Sequence, residues 1–187
     1  MRAFIAIKLP LDIQTALVKI QDKLKTALPK INWVAPANLH LSLKFLGEIS
    51  LEQLKDTQQI IAEIIKTTHS FQIRLETLGV FPNCRLARII WIGTPQAPIP
   101  LKQLVEQLEK KLLPLKIPKE QHIFQTHITL GRLKYAIIPS VLEKELSGLK
   151  DKINDMNLKF YAGGITLFQS VLGPGGPTYS ILKEADF

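Results

Sequence analysis

The chain is poor in sulfur: its 187 residues include one cysteine, Cys84, and two methionines. A single thiol forms no internal disulfide and builds no thiolate metal site by itself. As a nucleophile it needs an activating neighbour, which the sequence does not identify. No apolar run approaches the roughly 20 residues that span a bilayer. The apolar stretch within Met1-Arg2-Ala3-Phe4-Ile5-Ala6-Ile7 is too short for a signal peptide, and no small-residue cleavage site follows it. A cytoplasmic protein with no membrane partner is therefore expected. Linker-like and low-complexity tracts are also missing.

What is present is an ordinary globular composition, 46% hydrophobic and 21% charged. It suffices for a single domain over residues 1–187, folded as two lobes. Lys and Arg number 24 against 16 Asp and Glu, a net charge of +8. A basic surface favours anionic partners, nucleic acid being the commonest large one. Here the charges are dispersed, so charge alone identifies no ligand. Nothing suggests an interface, and a monomer is expected.

Strands and helices alternate along the chain. Residues 2–9 read as a buried strand ending at Pro10. A helix follows, with Asp12 as its cap and Ile13, Leu17, Ile20 and Leu24 at helical spacing up to Pro29. Residues 31–34 and 39–46 read as strands, the second closed by Gly47. Ser50 and Gln53 form a capping-box pattern for a helix through Leu54, Ile61 and Ile65. Strands are expected near 70–80 and 86–92 around the turn Phe81-Pro82-Asn83-Cys84. A helix over 99–113, a strand over 123–133 and a short helix over 138–147 come next. Strands near 157–170 and 178–183 flank a turn at Gly173-Pro174-Gly175-Gly176-Pro177, where glycine permits positive φ and proline fixes φ. The loosely repeated strand–helix–strands order predicts an α+β fold. Two pseudo-symmetric lobes are expected, each a mainly antiparallel sheet with helices on its outer face, with the active-site cleft between them.

Two strands share one pattern, His40-Leu41-Ser42-Leu43 and His127-Ile128-Thr129-Leu130. Side chains alternate between the faces of a strand. His40 and Ser42 therefore share one face, with Leu39, Leu41, Leu43 and Phe45 on the other. His127 and Thr129 likewise share a face. A lone histidine on a half-buried strand is usually structural; a histidine and a hydroxyl repeated in both halves are harder to dismiss. If the lobes are related by a two-fold axis, the polar faces meet across one groove. Two imidazoles with an unperturbed pKa near ~6.5 can then work as an acid–base pair. One deprotonates water, the other protonates a leaving oxygen, and the hydroxyls hold phosphate oxygens. The pattern leaves open which ring does which. A metal centre is the competing reading, but it wants a third ligand and a fixed short spacing, and hydroxyls are poor zinc ligands. No metal and no cofactor are expected.

The segment Trp33-Val34-Ala35-Pro36-Ala37-Asn38-Leu39-His40-Leu41-Ser42-Leu43-Lys44-Phe45-Leu46-Gly47-Glu48 resembles the first signature of the two-histidine (2H) phosphoesterases. Within them it is similar to the RNA 2',3'-cyclic phosphodiesterases, also called 2'-5' RNA ligases. Thr126-His127-Ile128-Thr129-Leu130-Gly131-Arg132 resembles the second signature. The likeness extends to Arg2–Ile7 with Leu9-Pro10, to Gly79-Val80-Phe81-Pro82 with Arg88 and Trp91, and to Ser170–Pro174 with Gly176-Pro177 and Tyr179. Two positions depart from the common pattern. Ser42 replaces the usual Thr and keeps the hydroxyl; Thr126 replaces the usual Pro and removes no catalytic group.

The resemblance implies substrates that are RNA ends, or nucleotides, bearing a 2',3'-cyclic phosphate, cleaved to the 2'-phosphate. It also implies a capacity to join RNA ends through a 2'-5' linkage. By analogy His40 is the general acid and His127 the base, while Ser42 and Thr129 hold the phosphate. Arg132 could neutralise phosphoryl charge, although strict alternation puts it on the face opposite His127. By the same alternation Lys44 shares the face of His40, farther along, and reads as a solvated lysine. Trp33 and Phe124 read as core residues, with base stacking the alternative. His69 and His122 read as surface residues. An RNA-end binding protein, and a phosphodiesterase for a small cyclic nucleotide such as the cyclic phosphate of ADP-ribose, are the alternative functions.

Overall fold

The computed structural model describes residues 1–173 and 176–187. Pro174 and Gly175 of the expected Gly/Pro turn lie outside the described residues. Fourteen regular elements are used below: β1 (Arg2–Lys8), α1 (Leu11–Ala27), β2 (Ile31–Trp33), β3 (His40–Glu48), α2 (Leu51–Ile64), β4 (Phe71–Arg74), β5 (Thr77–Phe81), β6 (Ile89–Gly93), α3 (Ile99–Leu112), β7 (His127–Leu133), α4 (Pro139–Met156), β8 (Lys159–Ala162), β9 (Gly164–Gly173) and β10 (Gly176–Asp186). No helix among the described residues is long and apolar enough to cross a membrane.

The main sheet runs β10-β9-β1-β3-β7-β6-β5, with β2 on β7, and every pairing is antiparallel. Outward from its centre the order is mirrored: β3, β1, β9 on one side match β7, β6, β5 on the other. The two triplets are the sheets of the two expected lobes. They join through one registered pair, Leu41 opposite Ile128. These are the residues that follow His40 and His127, so the lobe junction and the two motifs coincide.

The helices are exchanged. α1 follows β1 but packs on β7, while α3 follows β6 but packs on β3. α2 lies beside α3 and β10, and α4 against β5. Each lobe thus draws elements from both halves of the chain. The apolar stripe of α1, Ile13, Leu17, Ile20 and Leu24, is fully buried; each such side chain contributes about 1.5–3 kcal/mol. On β1, Ala3, Ile5 and Ile7 face the same core.

Local signals held where one interaction decides them. The Ser50 hydroxyl accepts from Gln53 N–H at 3.1 Å, and Gln53 Oε1 accepts from Ser50 N–H at 2.9 Å. α1, by contrast, starts after Pro10 with no side-chain cap, and Asp12 sits in its first turn. Residues 123–126 are not in a strand. α4 runs nine residues beyond the expected end, because Leu149 and Ile153 continue the buried stripe of Leu142 and Leu146. The expected strands near 70–80 and 157–170 each divide in two. β4 and β8 pair with each other in a separate sheet, while β5 and β9 join the main one. The strict burial alternation of β4 and β8 ends at both divisions: β5 is half-buried throughout, and β9 has four consecutive buried residues, Ile165 to Phe168.

Candidate active site

Each motif strand carries a bulge at the same place. Along β3, Ser42 pairs with Ala6 and Lys44 with Ile5, leaving Leu43 unopposed on β1. Along β7, Thr129 pairs with Trp91 and Gly131 with Ile90, leaving Leu130 unopposed on β6. An extra residue shifts alternation by one. The burial of both strands shows it, with two consecutive buried residues, Leu43-Lys44 and Leu130-Gly131, after regular alternation.

The shift corrects three expectations. Arg132 returns to the face of His127 and Thr129, where it is exposed. Phe45 comes to the face of His40 and Ser42, is 54% exposed and lies 6.0 Å from the Phe4 ring. Lys44 turns to the opposite face and is 2% exposed, not solvated. Its three ammonium donors reach Glu109 Oε1 at 2.8 Å, Oε2 at 3.0 Å and the Pro118 carbonyl at 2.6 Å.

The two histidines are held alike. His40 Nδ1 lies 2.7 Å from the Asn38 carbonyl, and His127 Nδ1 lies 2.8 Å from the Gln125 carbonyl. A carbonyl only accepts, so Nδ1 carries the proton in both rings and Nε2 is the free nitrogen. The Asn38 side chain also donates to the Pro177 carbonyl at 3.2 Å, tying β10 to the segment that orients His40.

Aromatic rings wall both imidazoles. Around His40, Phe4 stands at 4.9 Å and Tyr179 edge-on at 5.3 Å. Around His127, Phe81 stands edge-on at 5.0 Å and Trp91 at 6.4 Å. This burial lowers both histidine pKa values below the ordinary 6.5. The Nδ1 bonds to Asn38 and Gln125 oppose the shift, and the Arg132 guanidinium deepens it for both rings. For His40 the nearby His127 adds to the lowering. Burial raises the Tyr179 phenol, against Arg132 and Arg2. Arg132 therefore lies within electrostatic reach of His40, His127 and Tyr179.

Gly79 makes room for one wall. A Cβ there would clash with Trp91 Cζ2, so the indole occupies the space over Gly79. Gly79→Ala should cost about 1–3 kcal/mol through overpacking, read as a lowered thermal midpoint; an unchanged midpoint would contradict this packing.

Other candidates fall outside the site. Trp33 and Phe124 pack against the core, as expected. His69 and His122 are exposed, as expected. Cys84 has its thiol pKa raised, by burial first and then by Glu143, the opposite of an activated thiolate. Among the described residues, no three His, Cys, Asp or Glu side chains gather where they could hold a metal ion. The aromatic walls were legible only as scattered matches to the family pattern; Phe4, Phe81, Trp91 and Tyr179 meet through pairing across strands.

A mirrored sheet with a histidine and a hydroxyl at matching places on its two central strands is the architecture of a two-histidine phosphoesterase. The family model described as LigT like Phosphoesterase matches residues 7–91 and again residues 92–179, and the chain belongs to that family. Its relatives include an RNA 2',3'-cyclic phosphodiesterase of Methanocaldococcus jannaschii, 34% identical over 98% of this chain and 99% of that protein. One from Thermus thermophilus is 33% identical, over 98% of this chain and 89% of that protein. Among solved structures, Escherichia coli LigT complexed with 3'-AMP superposes with a TM-score of 0.77 at 26% identity, covering 99% of this chain and 97% of that one.

Proposed function

We propose that this chain hydrolyses the 2',3'-cyclic phosphate at RNA ends, or on nucleotides, to the 2'-phosphate, with His40 and His127 as its acid–base pair and no metal. The observation that carries this reading is the matched presentation of two imidazoles, each with Nδ1 bound to a carbonyl and Nε2 free. Relatives named for this activity, aligned along nearly the whole chain, support it. The exchanged helices support residues 1–187 as one functional domain.

In the proposed reaction His127 Nε2 takes a proton from water as the water oxygen attacks phosphorus. The P–O3' bond breaks on the far side, and protonated His40 delivers its Nε2 proton to O3'. Ser42 and Thr129 donate to the non-bridging oxygens, and Arg132 offsets the charge that develops on them. With the 5'-hydroxyl of a second RNA end attacking the cyclic phosphorus in place of water, His127 would take the hydroxyl proton, the P–O3' bond would break with O3' protonated by His40, and a 2'-5' linkage would form. His40 as acid follows the family resemblance.

The reading implies a bell-shaped pH profile, since one ring must enter protonated and the other neutral. The two limbs belong to the coupled pair rather than to either ring. Both imidazole pKa values are lowered. The deprotonation that ends activity therefore comes early, and the kcat/KM maximum of the free enzyme should lie below the ordinary histidine value of about 6.5. A maximum well above that value would contradict the buried, arginine-flanked pair. A panel of cyclic-phosphate RNA, 2',3'-cyclic nucleotides and the cyclic phosphate of ADP-ribose tests the substrate class. Preference for RNA ends is expected; preference for the ADP-ribose compound, or binding of RNA without turnover, would overturn it.

A further inference from the structure

The two bulges put Arg132 and Phe45 in the cleft, and each is backed by the same position of an exchanged helix. α1 begins after Pro10 and α3 after Pro98; counted from these prolines, Gln21 and Glu109 are equivalent. Glu109 holds the β3 bulge through the ammonium of Lys44. On β7 the residue matching Lys44 is Gly131. A Cβ there would meet Ile31 Cγ2 at 2.6 Å and Trp33 Cε3 at 3.0 Å, so β2 leaves no space for a side chain. The helix residue reaches the backbone directly instead. Gln21, 2% exposed, donates from Nε2 to the Leu130 carbonyl at 2.9 Å and to the Val34 carbonyl at 2.9 Å.

Leu130 is the unopposed residue of the bulge. Its carbonyl also accepts from Val34 N–H at 2.9 Å, so one amide group clamps the end of β2 to the bulge two residues before Arg132. An unmade hydrogen bond at a buried carbonyl is costly, and a bulge can relax into regular pairing by a one-residue slip that reverses every side chain beyond it.

We infer that Gln21 is a positioning residue for catalysis: its amide holds the Leu130 bulge and so keeps Arg132 on the face of the two histidines. The inference rests on the proposed role of Arg132. Gln21 is a buried helix residue on the back of the sheet. Gln21 touches no reacting group and acts only through Arg132.

The test measures kcat/KM against pH on an RNA with a 2',3'-cyclic phosphate end, for the full chain and for Gln21→Met, Arg132→Ala and the double variant. Arg132→Ala should lose on the order of 10²-fold, the scale of one charge-stabilising donor, and should move both pH limbs upward. Gln21→Met should lose about 10-fold, with its limbs moving the same way. In the Arg132→Ala background the second change should cost less than about 2-fold, because coupled residues are non-additive. Should Gln21→Met fail to fold, Gln21→Asn keeps the amide one methylene short and is expected to show the same coupling. If Arg132→Ala is slow but the Gln21 variant is neutral, or keeps its full cost in the double variant, the inference is overturned and the site reading stands. If Arg132→Ala is itself neutral, the proposed role of Arg132 fails, and the inference with it.

Discussion

His127→Ala and His40→Ala should each lower turnover of a 2',3'-cyclic phosphate by about 10²–10⁴-fold, the contribution of one general acid or base. Both rings stand on strands whose backbone pairing is independent of the side chain, so each variant should keep the native circular dichroism and unfold cooperatively. His40 contacts Phe4 and Tyr179, so His40→Gln, which fills more of that space, is the second variant. The double variant should fall well short of the product of the two losses. A proton given by one ring is tied to the proton taken by the other, and residues that act as a unit are non-additive. Full activity in either folded variant would remove that histidine from the mechanism. Multiplicative losses would mean that the rings act independently.

The second large effect concerns stability. Lys44 and Glu109 form an ion pair with side chains 1% and 14% exposed. Removing one partner strands the other charge away from water, at about 3–5 kcal/mol. Lys44→Met should lower the urea midpoint accordingly, with an unchanged slope. Lys44→Met combined with Glu109→Leu should recover most of the loss, because replacing both charges by apolar groups is often neutral. A Lys44→Met loss below about 1 kcal/mol, the worth of an exposed pair, would contradict the buried geometry.

Much of this was legible in the sequence because it is local. The Ser50 capping box, the apolar stripe of α1 and the repeated His–apolar–hydroxyl–apolar strands each depend on residues a few positions apart. The mirrored sheet follows from that repetition once the halves are compared. The exchange of α1 and α3 does not, since an amphipathic helix shows its apolar face but not whose sheet covers it. Nor do the bulges. Period-two alternation assigned Lys44, Phe45 and Arg132 to the wrong faces, because the extra residue at Leu43 or Leu130 is defined by its lack of a partner on the next strand. The clearest hint was Lys44 itself. Its strand counterpart is Gly131, and a lysine and a glycine at one repeated position signal two different solutions to backing the same bulge.

The proposed cleavage of a cyclic phosphate uses two imidazoles and no metal. Its most direct test is phosphorus NMR of an RNA 2',3'-cyclic phosphate incubated with the full chain in excess EDTA. Turnover undiminished by the chelator and a single product, the 2'-phosphomonoester, are expected. Loss of activity in EDTA that added divalent metal restores, or a 3'-phosphate product, would contradict it.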